Sequence, residues 1–543
     1  MKNTIKYLLI LLAAPVVLSG CLKEEFPLNG TVTPDQVAES PQGLEAASRA
    51  TGAWLNESMT ILDAHYDFGF PSICLALDAM TCDVAIETYG YDAGALYLRV
   101  ANGLEETSNH PYFFWMYFYR MIYLANNNLN SVNTPADTSD IDGLSESSKS
   151  FIGQMLAMRA MSYLYLARIF EYKGTLTGAN YLNLTVPYIG QETTESEARN
   201  NPRVPHDEMY NNIILRDLNN AVKYLDGYKR DDKTQVDQSI VYGLLARTYL
   251  YMGEYTKAAE AARAAIDLAV ENDGATMLTE DEWTNPSTGF NTMSTPSWMW
   301  AIHVTSDDAV VQTGICNWPS FMASEASFGY CGAGNSQSAK LCDAALYAKI
   351  PNSDWRKKSW LDADRSKFDY NLLRDEDWVE SCPDLTNIKF RPGGGNTSDY
   401  STGAVADFPM MRIEEMYLIE AEGVAYTNPA QGAALLTEFA QTRDMRYTCT
   451  ATDFKGVQDA CFLQRQIELW GEGHILFDYK RLDKPQLRGY TGTNHFAESR
   501  YNSPDGNAPW TTPQIPQSEW QANVALANAQ NPSPIVYRGS LWR

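Results

Sequence analysis

The pattern that decides the fold lies in residues 239–265, which read SIVYGLLARTYLYMGEYTKAAEAARAA. Its first half repeats aromatic and apolar side chains at helical spacing, at Tyr242, Leu245 and Tyr249. A turn at Gly253 follows, and the second half keeps small residues on one side: Ala258, Ala262 and Ala265. Small side chains in such places let two helices approach closely. The stretch therefore predicts a pair of closely packed antiparallel helices.

A second copy of this pattern lies nearer the C-terminus. Its matching residues are Tyr417, Glu420, Ala421, Ala433 and Ala440. A third, interrupted copy would join the helix around residues 159–163 to residues 207–225 across a long insertion. Copies at matched offsets are typical of tetratricopeptide repeats, in which helical pairs stack into a layer. The proline that usually closes such a repeat is replaced by Val270, so generic antiparallel helix packing is the alternative.

Helical periodicity extends well beyond these copies. The predicted helices span residues 43–58, 111–132, 148–172, 207–225, 239–252, 255–272, 411–426, 429–446 and 454–482. The aromatic stripe at residues 112–123 recurs at helical spacing and is assigned to the core, whereas Trp298 and Trp300 alternate as in a buried strand. We therefore expect a mainly α fold. Its tetratricopeptide-type helical pairs would pack against a loop-rich, irregular part with few short strands.

Length and composition restrict the number of domains and the classes of partner that the chain can have. The chain has 543 residues, with 42 Lys and Arg against 67 Asp and Glu, which gives a formal net charge of −25. Phosphate binding needs clustered basic residues, so this acidic chain is not expected to bind nucleic acid. The length allows roughly three domains, but the continuous helical pattern favours a single body. The aromatic fraction of 12% could serve a core or a binding surface.

The first residues have the features of a targeting segment. Lysines precede an apolar stretch at residues 7–17, which is too short to span a bilayer. It ends at Leu18-Ser19-Gly20-Cys21, which resembles a bacterial lipobox. We expect residues 1–20 to be a lipoprotein signal peptide, with lipid on Cys21 and a lipidated tether over residues 21–35. An ordinary secretory signal, in which Cys21 is incidental, is the alternative.

Sequence motifs for catalysis and metal binding were not found. The chain has no GxSxG, HExxH or GxxxxGK(S/T) motif, and its six histidines are scattered. We therefore predict no catalytic residue, no metal site and no cofactor. Acidic pairs such as Asp307-Asp308 and Asp375/Asp377 would suit a glycosidase only if two carboxylates faced each other. The eight cysteines besides Cys21 show no CxxC pair, so disulfides and buried thiols both remain open.

Blocks of residues along most of the chain match the pattern of one family. The most specific are residues 408–422, FPMMRIEEMYLIEAE, residues 465–481, RQIELWGEGHILFDYKR, and residues 513–523, PQIPQSEWQAN. Residues 117–126 add an aromatic helix that ends in Ala-Asn, and residues 153–163 add a helix with Arg-Ala-x-x-Tyr. Together with the lipobox, these blocks resemble the SusD/RagB-type surface lipoproteins of Bacteroidetes.

The charged residues of the C-terminal blocks lie at spacings suited to ion pairs on helices. They are Arg412, Glu415, Glu420, Glu422, Glu468, Glu472, Asp478 and Arg481. We interpret them as a buried or half-buried scaffold network and not as catalytic acids. The chain departs from the family pattern at Gln154, Gln466 and Ile475, where charged residues are usual. Each departure could remove one internal ion pair.

The resemblance implies a SusD-like fold for nearly the whole mature chain. A helical N-terminal part, residues 36–272, and a C-terminal part, residues 273–543, would pack as one body. It also implies an outer-membrane, lipid-anchored protein facing the cell exterior. Such a protein binds a nutrient, usually a glycan, and passes it to a SusC-like TonB-dependent transporter without a covalent step. The alternatives are a lipid-anchored glycoside hydrolase and a tetratricopeptide scaffold that binds peptide or protein.

In this family, loops in the first third and the middle of the chain hold the ligand. Two loops here suit a sugar, because they combine aromatic rings for its C–H faces with polar side chains for its hydroxyls. They are residues 87–94 and the segment from Gly314 to Phe321, which continues to Phe328-Gly329-Tyr330. The predicted ligand contacts are Tyr89, Tyr91, Asp92, Asn317, Trp318 and Phe321. Trp318 precedes a proline and is expected on a loop, where a ring is harder to bury.

Overall fold

The computed structural model describes residues 40–86, 103–132, 141–173, 182–330, 339–506 and 509–533. The longer helices in these ranges are α1 (Pro41–Ala53), α2 (Phe70–Ala79), α3 (Asn109–Ser131), α4 (Glu146–Phe170), α5 (Leu215–Tyr224), α6 (Gln238–Met252), α7 (Tyr255–Asp273), α8 (Ile413–Thr427), α9 (Pro429–Gln441), α10 (Phe454–Glu468) and α11 (Ile475–Arg481). The predicted signal peptide, the lipidation residue Cys21 and the tether lie outside the described residues.

Short helical segments connect these elements. The short α-helices are Glu195–Ala198, His206–Glu208, Glu280–Trp283, Ala309–Gln312, Trp318–Met322, Ala344–Lys349, Glu376–Ser381, Tyr400–Gly403 and Gln517–Ala522. The 3-10 turns are Trp54–Asn56, Ile141–Gly143, Trp355–Ser359, Gly393–Gly395, Ala497–Ser499, Pro509–Thr511 and Val524–Leu526. A π-helical segment, Met209–Ile214, leads into α5.

Strands are few and short in the described ranges. They form three antiparallel pairs: β1 (Val84–Ala85) with β3 (Leu341–Cys342), β2 (Trp298–Ile302) with β4 (Phe408–Arg412), and β5 (Gln486–Leu487) with β6 (Asn502–Ser503). In the longest pair, Trp298 lies opposite Arg412 and Ile302 opposite Phe408. Both Trp298 and Trp300 are buried, as their alternation predicted. The expected mainly α fold with few short strands is confirmed.

The main helices pack side by side as a layer. α3 packs on α4, α4 on α5, α6 on α7, α7 on α8, and α8 on α9 and α10. The predicted helical pairs are therefore present as α4/α5, α6/α7 and α8/α9. Small residues make the contacts close, because a Cβ on Gly423 of α8 would lie 2.5 Å from the Tyr255 carbonyl oxygen of α7. The helix pairing thus rests on the small residues that the sequence places at the seams.

One predicted helix, residues 454–482, is broken in the structure. α10 ends at Glu468 and α11 begins at Ile475. Gly471 and Gly473 in the break have φ values of 81° and 83°, which favour glycine. A Cβ on Gly473 would lie 2.5 Å from the Cβ of Cys74 in α2. The chain turns here because it must pass α2 at close range.

Helix α2 was not predicted from the sequence. All of its residues are buried, so it shows no polar face and therefore no helical period. Phe70 of α2 packs edge-on against Tyr165 of α4, with ring centroids 5.2 Å apart, and against Phe408 of β4, at 6.4 Å. Tyr165 also contacts Phe477 of α11, at 5.6 Å. The main core thus contains side chains from both sides of residue 272.

The described cysteines are free thiols: Cys74, Cys82, Cys316, Cys342, Cys382, Cys449 and Cys461. Of the two interpretations left open by the sequence, unpaired thiols therefore hold for these residues.

In the same ranges, no helix combines the length and the apolar character needed to span a bilayer. No group of His, Cys, Asp and Glu side chains among the described residues is arranged to hold a metal ion.

Candidate functional site

The segment around Trp318 folds as a capped helical turn and not as an open loop. The Asn317 side chain caps the short helix Trp318–Met322, since its Oδ1 accepts a hydrogen bond from the Ser320 N–H at 2.9 Å. Its Nδ2 donates to the Val310 carbonyl oxygen at 3.1 Å. Trp318 and Pro319 occupy the first turn of this helix. Proline is tolerated there, because backbone N–H groups of the first turn have no partner within the helix. The pre-proline position is therefore helical, contrary to the expectation of a loop.

The side chains of this turn lie in the interior. Trp318 is 4% exposed and Phe321 is 1% exposed. The Trp318 ring packs edge-on against Phe390 and Phe408, with centroid distances of 5.1 Å and 4.7 Å. Capping and the neighbouring rings turn Asn317, Trp318 and Phe321 inward. This burial disfavours direct contact with a ligand, and their role as ligand contacts stays a prediction.

The other predicted contacts, Tyr89, Tyr91 and Asp92, lie outside the described residues. They stay predictions. The described residue before that loop is Ile86, which is buried next to strand β1.

Four aromatic side chains, His65, Tyr66, Phe328 and Tyr330, are half-buried and lie on two short segments; we call this group the aromatic shelf. His65 Nδ1 and the Tyr330 hydroxyl share a hydrogen bond, and their ring centroids are 5.8 Å apart. The shelf therefore joins two segments that are distant in the sequence. Its second segment belongs to the predicted binding region, although Phe328 and Tyr330 were not among the six predicted contacts.

The buried turn supports Tyr330 from below. The Tyr330 N–H donates to the Ser320 carbonyl oxygen at 2.7 Å, and the Tyr330 ring lies 5.1 Å from that of Phe321. Phe321 in turn stacks on Phe68 at 5.2 Å. Gly329 makes the approach possible: its φ is 83°, and a Cβ there would lie 2.5 Å from the Ser320 Cα. Phe321 thus supports the Tyr330 ring from the interior.

The other segment of the shelf is fixed by Asp67. Its buried carboxylate accepts hydrogen bonds from the Ile61 and Leu62 N–H groups, at 2.8 Å and 2.7 Å, and so holds the loop that carries His65 and Tyr66. Burial raises the pKa of Asp67. The Tyr66 ring stacks on His110 of α3 at 5.1 Å. The neighbouring Asn109 donates from Nδ2 to the Tyr66 hydroxyl at 3.1 Å, which places an exposed amide at the edge of the shelf.

A shelf of this kind combines flat apolar faces with polar groups at its edge. Aromatic rings can pack against the C–H face of a sugar ring, while hydroxyl, amide and imidazole groups can hydrogen-bond its hydroxyls. The sequence offered one usable signal, the Phe-Gly-Tyr run at residues 328–330. It offered none for His65 and Tyr66, which reach the shelf only through tertiary contacts.

The predicted scaffold charges form a buried ion-pair network centred on Glu468 and Glu472. Glu468 contacts Arg356 at 2.9 Å, and Arg412 and Arg443 both at 3.2 Å. Glu472 contacts Lys389 at 2.7 Å and Arg412 at 2.8 Å. Although burial alone would raise it, the pKa of Glu468 is held well below its usual range by the three arginines. The carboxylates are therefore acceptors of fixed ion pairs and are not poised to exchange protons.

The remaining predicted charges are paired in the same way. Their ion pairs are Arg247–Glu415, Arg263–Glu420, Arg465–Asp478, Arg481–Asp478 and Arg481–Glu422. The scaffold interpretation of these charged residues is thus confirmed. At one departure from the family pattern, the Gln466 amide donates to Asp83 Oδ1 and to the Tyr479 hydroxyl, both at 2.9 Å. An uncharged amide therefore takes part in the network there.

One carboxylate of each pair considered for a glycosidase has structural partners. Asp308 accepts hydrogen bonds from the Thr305 N–H at 2.7 Å and from Asn56 Nδ2 at 3.3 Å. Asp375 caps the helix Glu376–Ser381 and accepts from the Trp378 N–H at 3.0 Å. Both side chains hold turns of the backbone in place.

Two family models match the chain. The model described as starch-binding and associating with the outer membrane matches residues 80–250, and the model of the SusD family matches residues 375–534. Together the two models cover more than half of the chain. None of the curated proteins matches it.

Solved structures share the fold over nearly the full length. A SusD-like carbohydrate binding protein from Bacteroides vulgatus ATCC 8482 is 22% identical, with a TM-score of 0.72, over 91% of this chain and 98% of that one. A SusD superfamily protein from Bacteroides thetaiotaomicron VPI-5482 is 18% identical, with a TM-score of 0.66, over 91% and 100%. Surface glycan-binding protein A from Bacteroides thetaiotaomicron is 16% identical, with a TM-score of 0.60, over 90% and 98%. With matching family models in both halves and this common fold, the chain belongs to the SusD/RagB family.

Proposed function

We propose that this protein is a cell-surface lipoprotein that binds a glycan on its aromatic shelf and passes it to a SusC-like TonB-dependent transporter. The description of the matching family model, which names starch binding and association with the outer membrane, supports the ligand class and the location. Two proteins of the same fold are described as carbohydrate binding and as surface glycan-binding. The alternatives suggested by the sequence have no comparable support.

The observation that carries the proposal is the aromatic shelf. Its rings are half-buried, so each keeps a part of its surface toward solvent. The Tyr330 ring is also held in place, because it rests on Phe321 and hydrogen-bonds His65. A rigid aromatic surface binds a sugar ring without first losing side-chain freedom. The predicted contacts Tyr89, Tyr91 and Asp92 remain part of the proposal as further groups that would hold the glycan.

The anchor follows from the N-terminal sequence. Residues 1–20 would be removed as a signal peptide, Cys21 would carry the lipid, and residues 21–35 would form the tether. An extended chain of that length spans up to roughly 50 Å. Such a tether lets the body, made of residues 36–272 and 273–543, cover a transporter barrel and swing away from it. Ligand would be captured between the two proteins and released downward.

The capture step needs no covalent chemistry. The two acidic pairs that could suggest hydrolysis include Asp308 and Asp375, whose carboxylates cap backbone turns. The protein would therefore retain a polysaccharide without shortening it. Chromatography of the polysaccharide after incubation measures this directly, and release of oligosaccharide would favour the hydrolase alternative.

The binding proposal is tested by affinity electrophoresis against a panel of polysaccharides. Tyr330→Ala removes the shelf ring that packs on Phe321 and bonds His65. We expect at least about tenfold weaker binding, equivalent to about 1.4 kcal/mol. The matched control is Tyr426→Ala on α8, whose side chain is 55% exposed. The control should bind like the unaltered protein. Equal retardation of both variants, or no retardation on any glycan, would count against the shelf.

The transporter proposal needs a separate experiment. The protein should co-purify with an outer-membrane barrel from its own cells in gentle detergent. Cys21→Ala should release the protein from the membrane fraction while its affinity for glycan stays the same. Recovery of the unaltered protein alone, without a barrel, would contradict the handover step but not the binding step.

A further inference from the structure

A small chamber lies between α4 and α6 on one side and α8, α10 and α11 on the other. It leaves about 20 Å³ for the centre of a water-sized particle. That is enough for a single small occupant, because one water needs roughly 10–15 Å³ by the same measure. The chamber is polar and strongly charged, in contrast to the apolar core around it.

Positive charge exceeds negative charge in the walls of this chamber. Four arginines line it together with two carboxylates: Arg168, Arg247, Arg465, Arg481, Glu415 and Asp478. Arg247 pairs with Glu415 at 2.6 Å, and Arg465 pairs with Asp478 at 2.7 Å. Arg481 pairs with Asp478 and with Glu422, which lies behind the chamber wall. Among the described residues, Arg168 forms no ion pair. Its charge is therefore not balanced by a carboxylate of this part of the chain.

Arg168 is deeply buried, with 4% of its surface exposed. Its guanidinium lies over the rings of Phe477, at 3.8 Å, and Tyr165, at 4.7 Å, and its Nε donates to the Leu164 carbonyl oxygen at 3.2 Å. Burial lowers the pKa of Arg168. An arginine nevertheless keeps its proton in proteins, so the charge must be compensated in another way.

Two buried N–H donors of the chamber lack a partner within the described chain. They are Nη2 of Arg168 and Nη1 of Arg465. Leaving a buried charged donor unsatisfied costs more than a neutral one, because the charge has lost its hydration as well. Both donors belong to residues that line the same chamber. Together they call for an acceptor that carries negative charge.

We infer that the chamber binds one small monovalent anion of the size of chloride, held by the free N–H groups of Arg168 and Arg465. A water molecule could accept both hydrogen bonds, but it would leave the excess positive charge in place. Tetrahedral oxyanions such as sulfate need more room than a single water-sized particle. The anion would join α4 of the N-terminal part to α10 of the C-terminal part.

Diffraction tests the site directly. Crystals of the full-length protein grown with bromide in place of chloride should show an anomalous difference peak in the chamber, between Arg168 and Arg465. A chamber that holds only water density under these conditions would overturn the proposal. This experiment uses the unaltered protein, so it decides the matter even where a variant fails to fold.

Thermal melting tests the same site in solution. Chloride is exchanged for gluconate at constant ionic strength, and each tenfold rise in chloride should raise the Tm by about 1 °C, because an anion that binds only the folded state stabilises it. Arg168→Met keeps an apolar chain over Phe477 and should remove this dependence. The control Arg199→Met changes an exposed arginine that pairs with Glu195 at the surface, and it should keep the dependence. Identical melting in both salts would refute anion binding.

Discussion

The ion-pair network around Glu468 and the aromatic shelf around Tyr330 are built in opposite ways. In the network, charged side chains on helices α8 and α10 and their neighbours are fully buried and paired with one another. In the shelf, half-buried rings stand on short segments, and a side-chain hydrogen bond between His65 and Tyr330 joins the two segments. The network contains charged residues of the C-terminal blocks that resemble the family pattern, and the shelf contains none of the residues that carry that resemblance. Recognition of the family therefore reports on what holds the molecule together and says little about which ligand it binds.

The largest effect is expected for Glu468→Gln. The amide cannot neutralise Arg356, Arg412 and Arg443, so buried positive charge is left without its counter-charge. We expect the free energy of unfolding to fall by about 3–5 kcal/mol, measured by urea unfolding. Glycan affinity of the folded molecules should not change.

The control for this variant is Glu438→Gln, an exposed residue of α9. Its free energy of unfolding should stay within about 0.5 kcal/mol of the unaltered protein. Similar stabilities for the two variants would mean that the network does not hold the scaffold together.

The second prediction separates the shelf from its support. Trp318→Ala removes a buried ring from between Phe390 and Phe408 and should lower the free energy of unfolding by about 3–5 kcal/mol. Tyr330 is half-buried, so Tyr330→Ala should lower the free energy of unfolding less than Trp318→Ala does. It should weaken glycan binding more than Trp318→Ala does. Urea unfolding and affinity electrophoresis of both variants check this. If Trp318→Ala weakened glycan binding more than Tyr330→Ala, Trp318 would be a direct ligand contact after all.

A third, smaller effect concerns the break between α10 and α11. Gly473→Ala and Gly492→Ala both place a side chain at positive φ, 83° and 86°. A Cβ meets Cys74 at 2.5 Å in the first case and open space in the second. We expect about 1 kcal/mol for Gly492→Ala, and a further cost of about 1–3 kcal/mol for Gly473→Ala. If Gly473→Ala and Gly492→Ala lowered the melting temperature equally, Gly473 would not lie in close contact with Cys74 of α2.

A further prediction concerns the response of stability to pH. Although burial opposes it, neighbouring cations hold the pKa values of Glu472 and Asp478 below their usual range. Such groups stabilise the fold above their unfolded pKa, near 4, and the contribution is lost as the pH falls further. The free energy of unfolding should therefore fall as the pH is lowered below about 4.5. If the free energy of unfolding, measured with urea, stayed constant below about pH 4.5, these ion pairs would not be present.

Asp78 provides an internal control of opposite sign. Its burial raises the pKa to about 8, so the folded state keeps a proton that the unfolded chain loses near pH 4. Its contribution to stability is full below that pH and is lost as the pH rises toward 8. Asp78→Asn should therefore gain stability relative to the unaltered protein from pH 4 to pH 8. A constant difference over this range would show that Asp78 is ionised in the fold.

Much of the fold could be predicted from the sequence, because amphipathic helices repeat their apolar side at a fixed period. The predicted helix at residues 239–252 corresponds to Gln238–Met252, and that at 255–272 to Tyr255–Asp273. Helical periodicity is absent from the sequence where every side of a helix is buried, and α2 could therefore not be predicted. It also fails where a helical pattern continues through a glycine turn, and α10 and α11 were therefore predicted as one helix.

The site could be predicted only as a region. The loop prediction included both Trp318 and Tyr330, but one ring is buried and the other half-exposed. Which of them faces outward depends on Phe390 and Phe408, which lie far along the chain and cover Trp318. Periodicity contains no information on such contacts. For the same reason, His65 joined the site only when the fold brought it to Tyr330.

The packing of α7 on α8 has a consequence for how the protein is made. Residues 274–412 lie between the two helices, yet the helices contact each other along the layer. During synthesis, the side of α7 that will meet Gly423 stays uncovered until the chain has passed residue 427. Contacts between such distant segments form late and slow the folding of a domain. The newly made chain is therefore most open to aggregation and proteolysis in this interval, and a chain that stops before α8 would never leave that state.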